Sequence, residues 1–223
     1  MAQELSHPLS LAYARCVVAY VSQCRRDVPA VDEQAEAAVA LATEQGFALW
    51  VAWGTSWRGW ALAMQDQGEE GMAEVRRGIA GCRATGTALL IPYYCSVLAD
   101  VAANLGHTAD GLQALAEAHS LVEQQEERWW EAEVCRLRGV LLLCQRGMPE
   151  AEAWLQQALD VARHQGAKSL ELHAAMNLSR LWQQQGKRAA ARELLAPVYG
   201  WFTEGFDTAD LQEAKALLEV LGG

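Results

Sequence analysis

The hydrophobic and polar positions of this chain show no strict alternation over any stretch of about four to eight residues bounded by turn signals, so they predict no half-buried strand. Ala, Leu, Gln and Glu are abundant, and the 223 residues include only five prolines. This composition favours helix from one end of the chain to the other. The pattern therefore predicts an all-α protein.

A repeat of forty residues underlies the pattern. Shifting the chain against itself by that interval aligns five small residues, namely Ala19, Gly59, Ala99, Gly139 and Ser179. Three further columns share the register. One consists of small residues at 38, 78, 118 and 158 and ends at Val198, and another consists of glycines at 46, 86 and 166, with Glu126 in place of the third glycine. The last consists of apolar residues at 35, 75, 115, 155 and 195. Such self-similarity indicates a repeat architecture, and the two small columns let two helices cross closely.

Glycines divide each unit into two helices. Those at 46, 86 and 166 suit the left-handed position that ends a helix, and further breaks fall near 68, 106, 147 and 186. The first helices of the units are predicted over 9–25, 48–66, 89–104, 129–145 and 169–185. The second helices are predicted over 29–45, 69–85, 108–125, 149–165 and 187–204. A last helix over 211–221 has one apolar and one polar face, as expected of a cap on a helical stack.

The repeat predicts a single domain over 1–223. Its units span about 7–46, 47–86, 87–126, 127–166 and 167–206, and the cap spans 207–223. Two departures have local consequences. Pro197 predicts a kink or an early stop in the second helix of the fifth repeat. Glu126 predicts a turn that closes differently from the turns that contain glycine.

The length of the unit leaves two repeat classes open. Forty residues exceed the roughly 34 of a standard tetratricopeptide repeat and fall within the range of HEAT-type units. The two small columns favour a tetratricopeptide-like superhelix, an α-solenoid with lengthened helices. The first unit matches the columns less well, as is typical of a terminal repeat.

Three segments resemble a known group of proteins: "WWEAEVCRLRGVLLL", "ALDVARHQGAKSLELHAAMNLSRLWQQQGK" and "LLAPVYGWFTEGFDTADLQEAKALLEVL". They are similar to the C-terminal tetratricopeptide region of bacterial multidomain signalling proteins that join an adenylate/guanylate cyclase or other effector to an AAA-type ATPase. The upstream segment "WRGWALAMQDQGEEGMAEVRRGIAGCRATG" is similar to the same region. The resemblance implies the sensor or docking end of such a system and supplies no catalytic residues.

Charge and cysteine usage narrow the function classes. The net charge is −10 and the pI about 5.0, which disfavours nucleic-acid binding. The chain has neither an apolar run of membrane-spanning length nor a signal-peptide layout, so we expect a cytoplasmic location and no membrane partner. The six cysteines show no metal-ligand spacing and are interpreted as small buried hydrophobic residues.

Motifs that would indicate chemistry are missing. The five histidines form no H-E-x-x-H pair, and the sequence contains neither a phosphate-binding G-x-x-x-x-G-K-[ST] loop nor a G-x-S-x-G elbow. "GEEG" at 68–71 lies between two predicted helices without a preceding strand. We therefore expect no catalytic residue, no metal and no cofactor.

Aromatic residues are the candidates for binding. In the first helix of each repeat, two positions lie on the same face: the one six residues before and the one directly after the small residue of the column that begins at Ala19. This face carries Tyr13, Tyr20, Trp53, Trp60, Tyr93, Asp100, Glu133, Arg136, His173 and Arg180. These side chains line either a binding groove or the core, and the charged members favour the groove because unpaired charges are unfavourable in a core. Trp50, Trp57, Trp129, Trp130 and Trp182 fall on other faces and are predicted to lie in the core.

Two functions are compatible with these features. The first is a non-catalytic scaffold or sensor that binds a peptide or protein in its groove. The resemblance adds a candidate context for it, the regulatory end of a cyclase/ATPase signalling system. The alternative is a helical domain that senses a small apolar ligand in an aromatic pocket. Association between copies through exposed repeat edges is a third, weaker option.

Overall fold

The structure, a computed structural model, describes residues 7–125, 127–145 and 147–223. Within these ranges all regular secondary structure is helical. The helices there are α1 (Pro8–Cys24), α2 (Val28–Glu44), α3 (Ala48–Met64), α4 (Gly68–Ala84), α5 (Ile91–Asn104), α6 (Thr108–Gln125), α7 (Glu131–Cys144), α8 (Met148–Gln165), α9 (Lys168–Gln184), α10 (Arg188–Tyr199) and α11 (Ala209–Gly222). The predicted five helix pairs and terminal helix are confirmed.

The helix ends follow the signals in the sequence. Gly46 and Gly166 have φ values of 71° and 65°, the left-handed conformation that was expected of them. The early stop at Pro197 is also confirmed, since α10 ends two residues later at Tyr199. The unusual turn predicted at Glu126 lies outside the described residues.

The chain divides into two compact units, each of which contains more than one forty-residue repeat. The first unit ends at Leu121, and the second unit begins at Val122. The assignment of 1–223 to a single domain stays a prediction. No helix in the described ranges is both long enough and apolar enough to cross a membrane.

In the first unit, glycines allow α3 and α4 to cross closely. A Cβ atom on Gly59 would lie 2.7 Å from the carbonyl oxygen of Gly71, and one on Gly78 would lie 2.8 Å from that of Ala52. Any larger residue at either position would push the two helices apart. The two columns of small residues therefore mark helix crossings, as the repeat predicts.

In the second unit, a continuous apolar core runs from α7 to α11. Its members include Leu155, Leu172 and Leu195, all fully buried. The terminal helix α11 packs against α9 and α10 and buries Leu211 and Leu217 in the same core. The prediction of a docked terminal helix is confirmed.

Candidate functional site

The aromatic part of the predicted groove is buried in the first unit. The exposed fractions of Trp53, Trp60 and Tyr93 are 7%, 3% and 3%. Trp57 and Tyr94 are fully buried, and their rings lie 5.1 Å apart. The structure thus corrects the expectation of an aromatic surface at 53, 60 and 93, because all three side chains are buried and the rings of Trp53 and Tyr93 pack on neighbouring aromatic rings. These three side chains therefore offer little surface to a partner.

Helix α1 covers this aromatic cluster from one side. The rings of Tyr20 and Tyr93 lie 5.5 Å apart edge to face, and those of Tyr13 and Trp50 lie 5.3 Å apart. Tyr20 is half-buried, and burial together with the neighbouring Cys24 raises the pKa of its hydroxyl well above the usual range. Tyr13 remains half exposed, so it is the most accessible aromatic residue of the predicted set. Asp100 on α5 is half-buried.

Polar atoms are enclosed within the cluster. The Nε1 atoms of Trp53, Trp57 and Trp60 and the hydroxyl of Tyr94 are buried without a hydrogen-bond partner in the described structure. Each such group lowers stability by about 1–3 kcal/mol relative to a paired one. Ring packing rather than hydrogen bonding therefore holds these four side chains, whereas the hydroxyl of Tyr93 donates a hydrogen bond to Gln23.

Apart from Asp100, the charged and ionisable residues of the predicted set lie in the second unit, on α7 and α9. Arg136 donates two hydrogen bonds to the carboxylate of Glu133, at 2.7 and 2.6 Å, and a third at 2.9 Å to Asn177. Burial alone would raise the pKa of Glu133, but the charge and hydrogen bonds of Arg136 hold that pKa below its usual value. This pair is thus a fixed, partly buried element.

The other two residues, His173 and Arg180, face the terminal helix. The Nε2 atom of His173 lies 2.8 Å from Asp210, and Arg180 donates a hydrogen bond of 3.1 Å to Glu213. We call the whole set the polar face of the second unit, and it comprises Glu133, Arg136, His173, Asn177, Arg180, Asp210 and Glu213. The structure therefore brings His173 and Arg180 together with acidic partners from α11, whereas Arg136 is paired with Glu133 and Asn177.

Exposure separates the two arginines of the polar face. The side chains of Arg136 and Glu133 are 15% and 16% exposed, whereas those of Arg180 and Glu213 are 41% and 38% exposed. A charged pair that is open to water contributes little to stability and exchanges partners readily. Arg180 is therefore the cation of this face that a partner reaches most easily.

Asn177, Asp210 and Glu213 are not among the residues predicted from the sequence. One of them carried a signal, because extending the column of Tyr93, Glu133 and His173 by another forty residues reaches Glu213. The capping helix thus continues this column of the repeat at one position, Glu213. Nothing in the sequence marks the other two.

Outside these clusters, a crevice of about 210 Å³ lies among α4, α5 and α6. Two ion pairs border it: Arg76 with Asp110 at 2.8 Å, and Arg83 with Glu117. Its apolar lining includes Leu98, and no tryptophan or tyrosine contributes to it.

None of the six cysteines forms a disulfide, but they are not all buried. Cys24 and Cys144 are exposed, which corrects the expectation that all six are core residues. In the buried group, desolvation raises the pKa of the Cys95 thiol to about 12. In the described ranges no three His, Cys, Asp or Glu residues are grouped as a metal site requires.

Among the tryptophans predicted to be core, Trp129 is 76% exposed, because it lies in the turn before α7.

Comparison with solved structures identifies the fold. The chain is similar to the TPR-like repeats of a Podosopora anserina kinesin light chain in two structures, at 17% and 18% identity, with TM-scores of 0.61 and 0.59. Each match covers 87% of this chain and 95% of the other. Pseudomonas aeruginosa PilF matches at 14% identity with a TM-score of 0.63, over 96% of this chain and 90% of its own. Scans against protein-family models and curated proteins find no match. The predicted tetratricopeptide-like, all-α fold is confirmed.

Proposed function

We propose that the chain is a non-catalytic interaction scaffold that binds an acidic peptide segment of a protein partner on the polar face of the second unit. The observation that carries this proposal is the exposed pair of Arg180 and Glu213, joined at 3.1 Å. The fold supports the proposal in general terms, because stacked helix pairs present extended surfaces that repeat proteins use for binding.

Binding at this face would proceed by exchange of carboxylates. An exposed ion pair stabilises the free protein by only about 0–1 kcal/mol, so a partner carboxylate displaces Glu213 from Arg180 at little cost. The planar guanidinium then binds the incoming carboxylate through two parallel N–H donors. Arg136 does not exchange in this way, because Glu133 and Asn177 already hold it in a less accessible position.

Peptide display on the immobilised full chain tests this function. We expect the selected peptides to carry Asp, Glu or a free C-terminal carboxylate. Arg180→Ala should weaken their binding roughly tenfold, about 1.4 kcal/mol. Arg192→Ala is the matched control, because Arg192 is exposed on α10 and its loss changes the net charge equally. Selection of peptides whose affinity is independent of Arg180 would overturn the proposal.

We further propose that this scaffold acts in the cytoplasm as the regulatory end of a cyclase/ATPase signalling system. The support is the resemblance, which is specific in the terminal segment around Tyr199–Asp207, together with six cysteines that form no disulfide, as suits a reducing compartment. The test is co-purification of a cyclase or ATPase with the tagged chain and its loss in Arg180→Ala.

A small-molecule sensor is the second candidate, and the crevice among α4, α5 and α6 is the observation that favours it. Its volume of about 210 Å³ is below the roughly 300–1,000 Å³ of drug-sized ligand pockets, so it would accommodate only a ligand of few atoms, whereas the aromatic cluster is filled by its own rings. A ligand in the crevice would raise the melting temperature of the wild type but not of Gln113→Trp, whose indole would occupy the space. If no compound from a screened library distinguishes the two proteins, this candidate fails.

A further inference from the structure

The loop between α10 and α11 carries two exposed aromatic side chains, and we call residues 199–208 the aromatic loop. Trp201 and Phe206 are 57% and 47% exposed. Each packs on a second ring that contacts the core of the second unit: the ring centres of Trp201 and Phe202 lie 5.2 Å apart, and those of Phe206 and Tyr199 lie 5.9 Å apart. The two exposed rings are thus held by partly buried neighbours and still face water.

Hydrogen bonds fix the backbone of the aromatic loop. The amide of Phe202 donates to the carbonyl oxygen of Tyr199 at 3.2 Å. The amide and the hydroxyl of Thr208 both donate to the carbonyl oxygen of Gly205, at 2.9 and 2.7 Å. Gly205 has a φ of 78°, a left-handed conformation that glycine adopts without strain. A surface that is held in this way loses little conformational entropy when it binds a partner.

The charges of the aromatic loop are all negative. Glu204 and Asp207 are exposed, and in the described ranges neither carboxylate forms a hydrogen bond or an ion pair. The sequence contains no lysine or arginine between Arg192 and Lys215. Two open carboxylates in the same loop as two exposed aromatic rings are complementary to a cation that also has apolar surface.

One cation of the chain already contacts this loop. The Nζ atom of Lys168 lies 5.7 Å from the ring centre of Trp201, near the limit of about 6 Å for a cation–π contact. The same ammonium group lies 2.6 Å from the carboxylate of Glu171, which is buried. The ring of Trp201 thus accepts a cation in this structure, and its exposed half remains open to a second one.

We propose that the aromatic loop binds a basic segment of a protein partner. Arginine or lysine side chains of that segment stack on Trp201 and Phe206, and their charges are neutralised by Glu204 and Asp207. The planar guanidinium of arginine suits such stacking especially well. Because both rings are about half exposed, the site is open, which suits a side chain that a peptide presents better than a small ammonium ligand that needs an enclosing pocket.

This site is independent of the acidic peptide proposed for the polar face. Arg180 lies twelve residues after Lys168 on α9, which corresponds to about 18 Å along the helix. The two sites also prefer opposite charges. Arg180→Ala should therefore leave binding at the aromatic loop at least as tight as in the wild type, so either proposal can fail while the other holds.

Fluorescence anisotropy of a labelled peptide of alternating arginine and glycine, titrated with the full chain, tests the proposal. The chain carries a net charge of −10, so the titration is done at about 0.15 M salt, which screens charges beyond about 8 Å. Trp201→Ala should weaken binding roughly tenfold, and Glu204→Gln at least about threefold. A peptide of alternating glutamate and glycine should not bind at this loop.

Two matched controls remove the same groups elsewhere in the second unit. Trp129→Ala removes a tryptophan that is 76% exposed and that directly follows Arg128, and Glu219→Gln removes an exposed carboxylate near the end of α11. Both should bind the arginine peptide like the wild type. Circular dichroism confirms that each variant is folded. Should Trp201→Ala lose helix, Trp201→Leu takes its place, since it keeps an apolar side chain and removes the aromatic face.

Three outcomes would overturn the proposal. The first is wild-type binding that Trp201→Ala does not weaken. The second is an equal loss in Trp201→Ala and Trp129→Ala, or in Glu204→Gln and Glu219→Gln, which would mean that the acidic chain attracts the peptide without a specific site. The third is displacement of the peptide by free arginine amide at an equal concentration of arginine, which would identify a small cation rather than a protein segment as the ligand.

Discussion

The Nε2 atom of His173 lies 2.8 Å from a carboxylate oxygen of Asp210, and this contact joins α9 to the terminal helix α11. Arg180 and Glu213 join the same two helices two turns further along α9. Below these polar contacts, Leu211 and Leu217 are buried in the core of the second unit. The terminal helix is thus fixed by an apolar side and a polar edge.

Removing residues 207–223 should therefore expose the apolar surfaces of α9 and α10. Each leucine taken out of the core forfeits about 1.5–3 kcal/mol, so we expect a lower melting temperature and aggregation. Thermal unfolding followed by circular dichroism, with size-exclusion chromatography, measures both effects. A truncated chain that stays soluble and melts like the wild type would show that α11 is not a cap.

Replacing Trp53 by alanine should destabilise the first unit by about 3–5 kcal/mol, because the ring is almost completely buried among other aromatic rings. The matched control is Trp129→Ala, since Trp129 is 76% exposed and its loss should change the free energy of unfolding by no more than about 0.5 kcal/mol. Denaturant unfolding measures both. Equal effects of the two substitutions would contradict the assignment of Trp53 to the core.

Removing the hydroxyl of Tyr94 should not lower the stability of the protein, in contrast to removing the ring of Trp53. Because this oxygen is buried without a hydrogen-bond partner in the described structure, Tyr94→Phe removes a polar group and leaves the ring contacts in place. We expect the free energy of unfolding to stay the same or to rise by about 1 kcal/mol. A loss of stability in denaturant unfolding would mean that the hydroxyl has a partner.

Much of the fold could be predicted from the sequence, because the repeat constrains it at many positions together. Gly59 and Gly78 fall in columns of small residues, and both lie where α3 and α4 cross. The helix stop near Pro197 needs only the geometry of proline. The exposure of Trp53 could not be predicted in the same way. Helical phase places Trp53 on a face of α3, but whether that face is open depends on what α1 and α5 contribute next to it.

The polar face was predicted in part. Glu133, Arg136, His173 and Arg180 follow from the phase of the repeat, yet their pairing depends on side chains that converge from different helices. Asp210 lies on the terminal helix, at a position that none of the described columns of the repeat reaches. Its contact with His173 therefore emerges only from the way in which α11 packs on α9.

The lowered pKa of Glu133 predicts a pH effect on stability. A carboxyl whose pKa is lower in the folded state stabilises the fold above its unfolded pKa, and that stabilisation is lost as the pH falls through the folded value. The wild type should therefore exceed Glu133→Gln in stability at neutral pH, and the difference should shrink below the ordinary value of 4.5. Denaturant midpoints over a pH series test this. A difference that does not change with pH would show that the charge on Glu133 is not what stabilises the pair.

The most direct test of the proposed carboxylate exchange uses Arg180 and its intramolecular partner together. Binding of one display-selected acidic peptide is measured by fluorescence anisotropy to the wild type, to Arg180→Ala and to Glu213→Gln. Because Glu213 competes with the peptide for Arg180, we expect Arg180→Ala to weaken binding and Glu213→Gln to strengthen it. Weaker binding in both variants, or no change in either, would contradict exchange at this pair.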